Sequence, residues 1–170
     1  MDWVAKYFPQ NIDLDEAINI ACAALRTESF ETFEFVFKKL VALFSPHYIL
    51  RVVALLKFME LNNGEYIIKV LELLSQHNLL LDSVITVAAC TAARKHLIGV
   101  LNWILQHDSR AQLLNDIALE ACAAGHLDIL KPLVALGAQL CEDHLQQAVN
   151  NGHATMAAHI ISKGVDPTNI

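Results

Sequence analysis

Ala121-Cys122-Ala123-Ala124-Gly125-His126 runs into Leu127-Asp128-Ile129-Leu130-Lys131-Pro132-Leu133-Val134-Ala135-Leu136 and closes with Gly137-Ala138. This stretch decides the fold because the chain says it again, with Gly125-His126 returning as Gly152-His153. The second copy is Ala148-Val149-Asn150-Asn151-Gly152-His153, one helix length of apolar sequence, then Gly164-Val165-Asp166-Pro167. A Gly-His step between two helix-length runs reads as a tight joint, since glycine adopts turn conformations that a Cβ disfavours. A joint repeated at a short period means stacked helical units, each burying its apolar face against the next.

Working outward, the same rhythm covers the chain. The first pair opens at Asp13 and Asp15, runs through Ala21, Cys22 and Leu25, and breaks at Arg26-Thr27-Glu28-Ser29, where Thr27 or Ser29 supplies an N-cap. Its second helix carries Phe30, Phe33, Phe37, Leu40 and Phe44 on one face until Pro46 stops it, with Phe35 off that face and expected to be exposed. The second pair spans about His47–Leu61 and Glu65–Gln76 across Asn62-Asn63-Gly64. The third spans Ser83–Ala93 and His96–Gln106, the fourth Leu114–Ala124 and Leu127–Leu136, and the fifth Asp143–Asn151 and Ala154–Ser162. The expected fold is all-α, about five stacked helix pairs in one domain over 1–170, with 1–13 as an N-terminal cap carrying Trp3, Tyr7 and Phe8. Three small-residue runs set the register: Ala21-Cys22-Ala23-Ala24, Ala89-Cys90-Thr91-Ala92 and Ala121-Cys122-Ala123-Ala124. They place Cys90 and Cys122 at equivalent positions.

Composition narrows the function classes. Apolar residues make up 55% of the chain and charged ones 18%, so nearly all of it should fold. The net charge of −6 and the lack of any basic stripe argue against nucleic acid. Acidic residues gather at Asp13, Asp15, Glu16, Glu28, Glu31 and Glu34, and read as a solvated face. No apolar run reaches membrane-spanning length, since Val84–Ala93 is cut by Arg94-Lys95. No signal peptide is expected from Met1-Asp2-Trp3-Val4-Ala5-Lys6, and no prenylation from the cysteine-free end. Cys22, Cys90, Cys122 and Cys141 form no CxxC pair, which fits a reducing, cytoplasmic setting.

Residues 115–168, with their Gly-His turns and terminal Gly137-Ala138, resemble ankyrin repeats; residues 14–114 resemble the family only in helix-pair rhythm. The resemblance implies an ankyrin-like α-solenoid that binds a protein partner and carries no catalytic site. It implies contact through Glu120, Ala123, Gln139 and Glu142 of the fourth unit and Gln146, Gln147 and Asn150 of the fifth. It also makes His126 and His153 turn-bracing residues and Cys122 a buried small one. Two departures stand out. Where the family opens its first helix with Thr-Pro-Leu-His, this chain reads Asp116-Ile117-Ala118-Leu119 and Asp143-His144-Leu145-Gln146. The span Gly137–Asp143 is too short for a full β-hairpin finger, so the fingers should be short or absent. Small, alanine-rich divergent arrays of this kind resemble host-directed factors of intracellular pathogens and large DNA viruses, which would act in a host cytoplasm.

Six of the eight histidines, from His96 onward, lie in the second half. Cys122 with His126 and Cys141 with His144 have spacings that could place two ligands on one metal ion. Cys90 with His96, or Cys122 with His126, could be drawn as a nucleophile beside a base. The stronger reading makes the histidines braces and the cysteines core, so the expectation is no metal, no cofactor and no catalysis. A self-associating solenoid and a small Cys/His-dependent enzyme are the rival classes.

Overall fold

Every described element is an α-helix, and no strand occurs among the described residues. The computed structural model describes residues 13–26, 29–43 and 61–168. The expected cap over 1–12, Thr27-Glu28 of the first break, the Phe44–Pro46 stop and the helix from His47 lie outside them. The contacts cluster in two compact units, Met1–Val84 and Ile85–Ile170.

In the first unit, α1 (Leu14–Arg26) starts because the Asp13 carboxylate accepts the Glu16 N–H at 2.8 Å. Asp15 and Glu16 in its first turn and Arg26 in its last complement the helix dipole. α2 (Phe30–Leu43) follows Ser29, whose Oγ accepts the Thr32 N–H. It packs on α1 and buries Phe33, Val36, Phe37 and Leu40. Phe35 is half-buried rather than exposed, with Lys39 Nζ 5.8 Å from its ring centre. α3 (Gly64–Gln76) is capped by Asn63, whose side-chain oxygen accepts the Tyr66 N–H at 3.1 Å. Gly64 is therefore the first helical residue, and the turn belongs to Asn63. α3 packs on α2, and His77 meets Phe37 edge-on at 5.3 Å.

Beyond α3 come α4 (Asp82–Arg94), α5 (Ile98–His107), α6 (Ala111–Ala124), α7 (Leu127–Ala135), α8 (Glu142–Asn150) and α9 (Ala154–Ser162). α8 packs on α6, and α6 and α8 each pack on the helix that follows them. The buried positions recur in strict register. Ile85, Ala88, Ala89, Ala92 and Ala93 of α4 are matched in order by Leu114, Ile117, Ala118, Ala121 and Cys122 of α6. His144, Leu145 and Ala148 of α8 match Ile117, Ala118 and Ala121 in turn. In the second helices, Val100, Leu101 and Ile104 are matched by Ile129, Leu130 and Leu133, then by Met156, Ala157 and Ile160. Alanines at 118, 121 and 148 carry only a methyl group, which lets the α6 and α8 backbones approach closely and is why small residues dominate this stripe.

The joints repeat as closely as the cores. At each, an N–H bonds back to a carbonyl one turn into the first helix and closes it: Leu97 to Ala92 O, His126 to Ala121 O, and His153 to Ala148 O, at 2.8, 3.0 and 2.8 Å. The residue before takes a left-handed backbone: His96 at φ 59°, Gly125 at 78°, Gly152 at 74°. Glycine holds that conformation without strain, whereas a residue with a Cβ gives up about 1 kcal/mol.

This register corrects the sequence reading in three places. His96 aligns with Gly125, which aligns Ala93 with Cys122, so Cys90 and Cys122 are not equivalent. α5 starts at Ile98, because His96 is the left-handed turn residue. α6 starts at Ala111, one turn before Leu114, after Asp108 accepts the Arg110 N–H at 3.1 Å; that extra turn buries Leu113.

Candidate functional site

The histidines of the joints reach back to the joint before. His126 Nε2 donates to the Arg94 carbonyl at 3.3 Å, and His153 Nε2 donates to the Ala123 carbonyl at 3.0 Å. Arg94 and Ala123 occupy equivalent positions in the aligned joints, so the two bonds are one device used twice. Each satisfies a helix-end carbonyl that has no partner within its own helix. His153 also lies flat against Gly125, where a Cβ would stand 2.6 Å from Nδ1 and 2.8 Å from Cε1. Leu97 occupies the equivalent place in the first joint.

A second brace sits at the start of α8. His144 Nδ1 accepts the Cys141 N–H at 3.2 Å, with Cys141 Sγ 3.1 Å away, and His144 Nε2 donates to the Asn115 carbonyl at 3.3 Å. Asn115 Oδ1 in turn accepts the Gln139 N–H at 2.8 Å. His144 is buried, and burial lowers its pKa below 6.5, which keeps the ring neutral and able to accept at one nitrogen while donating at the other. The Cys141…His144 pair forms the reciprocal cap of α8, opening earlier than the Asp143-His144-Leu145-Gln146 window suggested.

The residues expected to meet a partner divide between α6, the linker after α7, and α8. Glu120 is half-buried and held by Arg94 through two bonds of 2.9 Å. Ala123 contributes its carbonyl to the His153 brace. Gln139 and Glu142 are exposed. Glu142 lines a shallow depression of about 500 Å³ with Cys141, Asp143, Lys163 and Asp166. Gln146 Nε2 donates to Asn150 Oδ1 at 2.7 Å, and the Gln147 carbonyl accepts from Asn151 at 2.8 Å.

Burial and bonding bear on the thiols considered as nucleophiles. Cys122 has no exposed surface, and burial pushes its pKa up to about 12. Cys90 is raised to about 11, first by burial and then by the charges of Glu120 and Asp116. Neither holds a useful thiolate fraction near neutrality. In the Cys141/His144 pair the Nδ1 lone pair already accepts a backbone N–H, so it is not free to take the thiol proton.

One group escaped the sequence reading. His96, His126 and Asp128 bring one ligating atom each to within 4.8 Å of one another. His96 Nε2 meets Asp128 Oδ2 at 2.6 Å, and the two imidazoles lie 4.6 Å apart, tilted by 48°. The signal lay in the register: aligning Arg94-Lys95-His96-Leu97 on Ala123-Ala124-Gly125-His126 puts His96 beside the next turn's His-Leu-Asp. The chain matches no known family model, no curated protein and no solved structure.

Proposed function

We propose that this chain is a non-catalytic protein-recognition module, built as an ankyrin-like α-solenoid with almost no fingers. The observation that carries the reading is the repeated joint. The turns at His96, Gly125 and Gly152 share one backbone and one buried pattern, and two of them share the back-reaching histidine. The Cys141…His144 cap supports the family resemblance further, with Cys standing where the resemblance puts Thr. Units that repeat a core and vary an exposed strip are suited to binding an extended protein surface.

The strip offered is Gln139, Glu142, Gln146, Gln147 and Asn150, with Glu120 and Ala123 at its inner edge. The depression beside Glu142 is bordered by Asp143 and Asp166 as well, three carboxylates against the single cation Lys163, and that net negative charge favours a partner presenting a basic side chain. The partner is a protein; the resemblance to host-directed arrays makes host cytoplasm one place to seek it.

The test is comparative affinity capture with wild type and with Glu142→Lys combined with Gln147→Lys. A stoichiometric protein retained by wild type, lost by the double variant and accompanied by an unchanged Tm supports this surface. Equal retention by both removes the surface from the reading. A wild-type chain that retains only itself, and sediments as a dimer or larger, favours the self-associating alternative.

A further inference from the structure

The geometry points to a divalent transition-metal site, best suited to Zn²⁺, formed by His96, His126 and Asp128. Four independent observations converge on it. The donor set is chemically right: two imidazoles and one carboxylate are ligands that Zn²⁺ accepts, with a water completing a tetrahedron. The spacing is close. One atom of each residue lies within 4.8 Å of the others, and ligands at tetrahedral zinc stand about 3.3 Å apart. His96 and Asp128 are exposed, so side-chain rotation brings the three donors to that separation, with the metal displacing to solvent the proton that His96 Nε2 and Asp128 Oδ2 share at 2.6 Å.

The third observation is the backbone. Position 96 is the left-handed residue of its joint, and the two equivalent positions hold Gly125 and Gly152. Among these three joints this one alone has a residue with a side chain in that place, and that side chain is the one that meets His126 and Asp128. A residue kept in an unfavourable backbone region is a recognised sign that its side chain has a task. The fourth is the tautomer of His126. A carbonyl can only accept, so the bond to Arg94 O fixes the proton on Nε2 and leaves the Nδ1 lone pair free. A ring that donates one N–H to a carbonyl while offering the other nitrogen is the arrangement found around metal-bound histidines. The site would tie the α4–α5 joint to the α6–α7 joint, so metal binding stabilises this unit by mass action.

The test is titration of tag-free, EDTA-stripped full-length chain with Zn²⁺, followed by calorimetry and by thermal unfolding. The expected result is one Zn²⁺ per chain and a Tm that rises with free Zn²⁺. His96→Gly gives the joint the residue its two relatives carry, so its metal-free Tm stays close to wild type. It and Asp128→Asn should each weaken zinc binding by about tenfold or more, whereas Cys141→Ser should leave it unchanged. No stoichiometric binding by wild type overturns the assignment. So does wild-type affinity in both His96→Gly and Asp128→Asn, or loss of binding in Cys141→Ser.

Discussion

The joints at Gly125 and Gly152 have nearly the same backbone, with φ of 78° and 74°, and yet they ask different things of their glycines. A Cβ at 125 would strike the His153 ring at 2.6 Å, whereas a Cβ at 152 would meet nothing within 4 Å. Both positions need glycine for its conformation. Only Gly125 also needs it for space, because the histidine of the following joint lies on it. The difference teaches that where one joint lies on another, a turn residue is constrained twice, once by its own backbone and once by the side chain that covers it.

The largest effect expected from this comparison is at Gly125. Gly125→Ala should cost about 2–3 kcal/mol, combining left-handed strain with a clash against a well-packed ring, and Gly125→Val more, since branching adds bulk. Gly152→Ala should cost about 1 kcal/mol, the strain alone. Urea unfolding of the variants side by side checks the ranking, and equal costs at 125 and 152 would dissolve the distinction.

A smaller effect separates the other brace from these. His144 has its pKa lowered by burial, so the unfolded chain binds its proton more readily than the folded one. Its contribution to stability is complete above about pH 6.5 and declines as the pH falls below that value. His159 is lowered as well, by desolvation and then by Lys163 and Lys131, and adds to the same slope. His144→Gln should therefore flatten, without abolishing, the loss of stability between neutral pH and pH 5. An unaltered slope would mean that His144 is not the proton acceptor.

The described helices were legible because apolar spacing and Gly-His punctuation are local signals. Gly125 and Gly152 mark joints, and Asn63 caps α3, where the sequence suggests. The register between the third and fourth copies was not legible from the cysteines. Alanine and cysteine are interchangeable as small buried residues, so Ala93 and Cys122 share a position that no residue identity advertises. The His96 joint was hidden for a related reason: it lacks the glycine that announces a left-handed turn. The Cys141…His144 cap was hidden because a thiol stands at the N-cap, where Ser, Thr, Asp or Asn is the usual sign. The meeting of His96 with Asp128 depends on how one joint lies over the next, and their wide separation along the chain conceals it.

The central claim is that the joints at His96 and Gly125 are each locked by the histidine of the joint that follows. A double-mutant cycle of Gly125→Ala and His153→Ala, followed by urea unfolding, tests it most directly. If His153 is what makes position 125 intolerant, Gly125→Ala will cost about 1 kcal/mol or more less in the His153→Ala background than in wild type. Strictly additive costs would contradict the account and reduce Gly125 to a turn residue no different from Gly152.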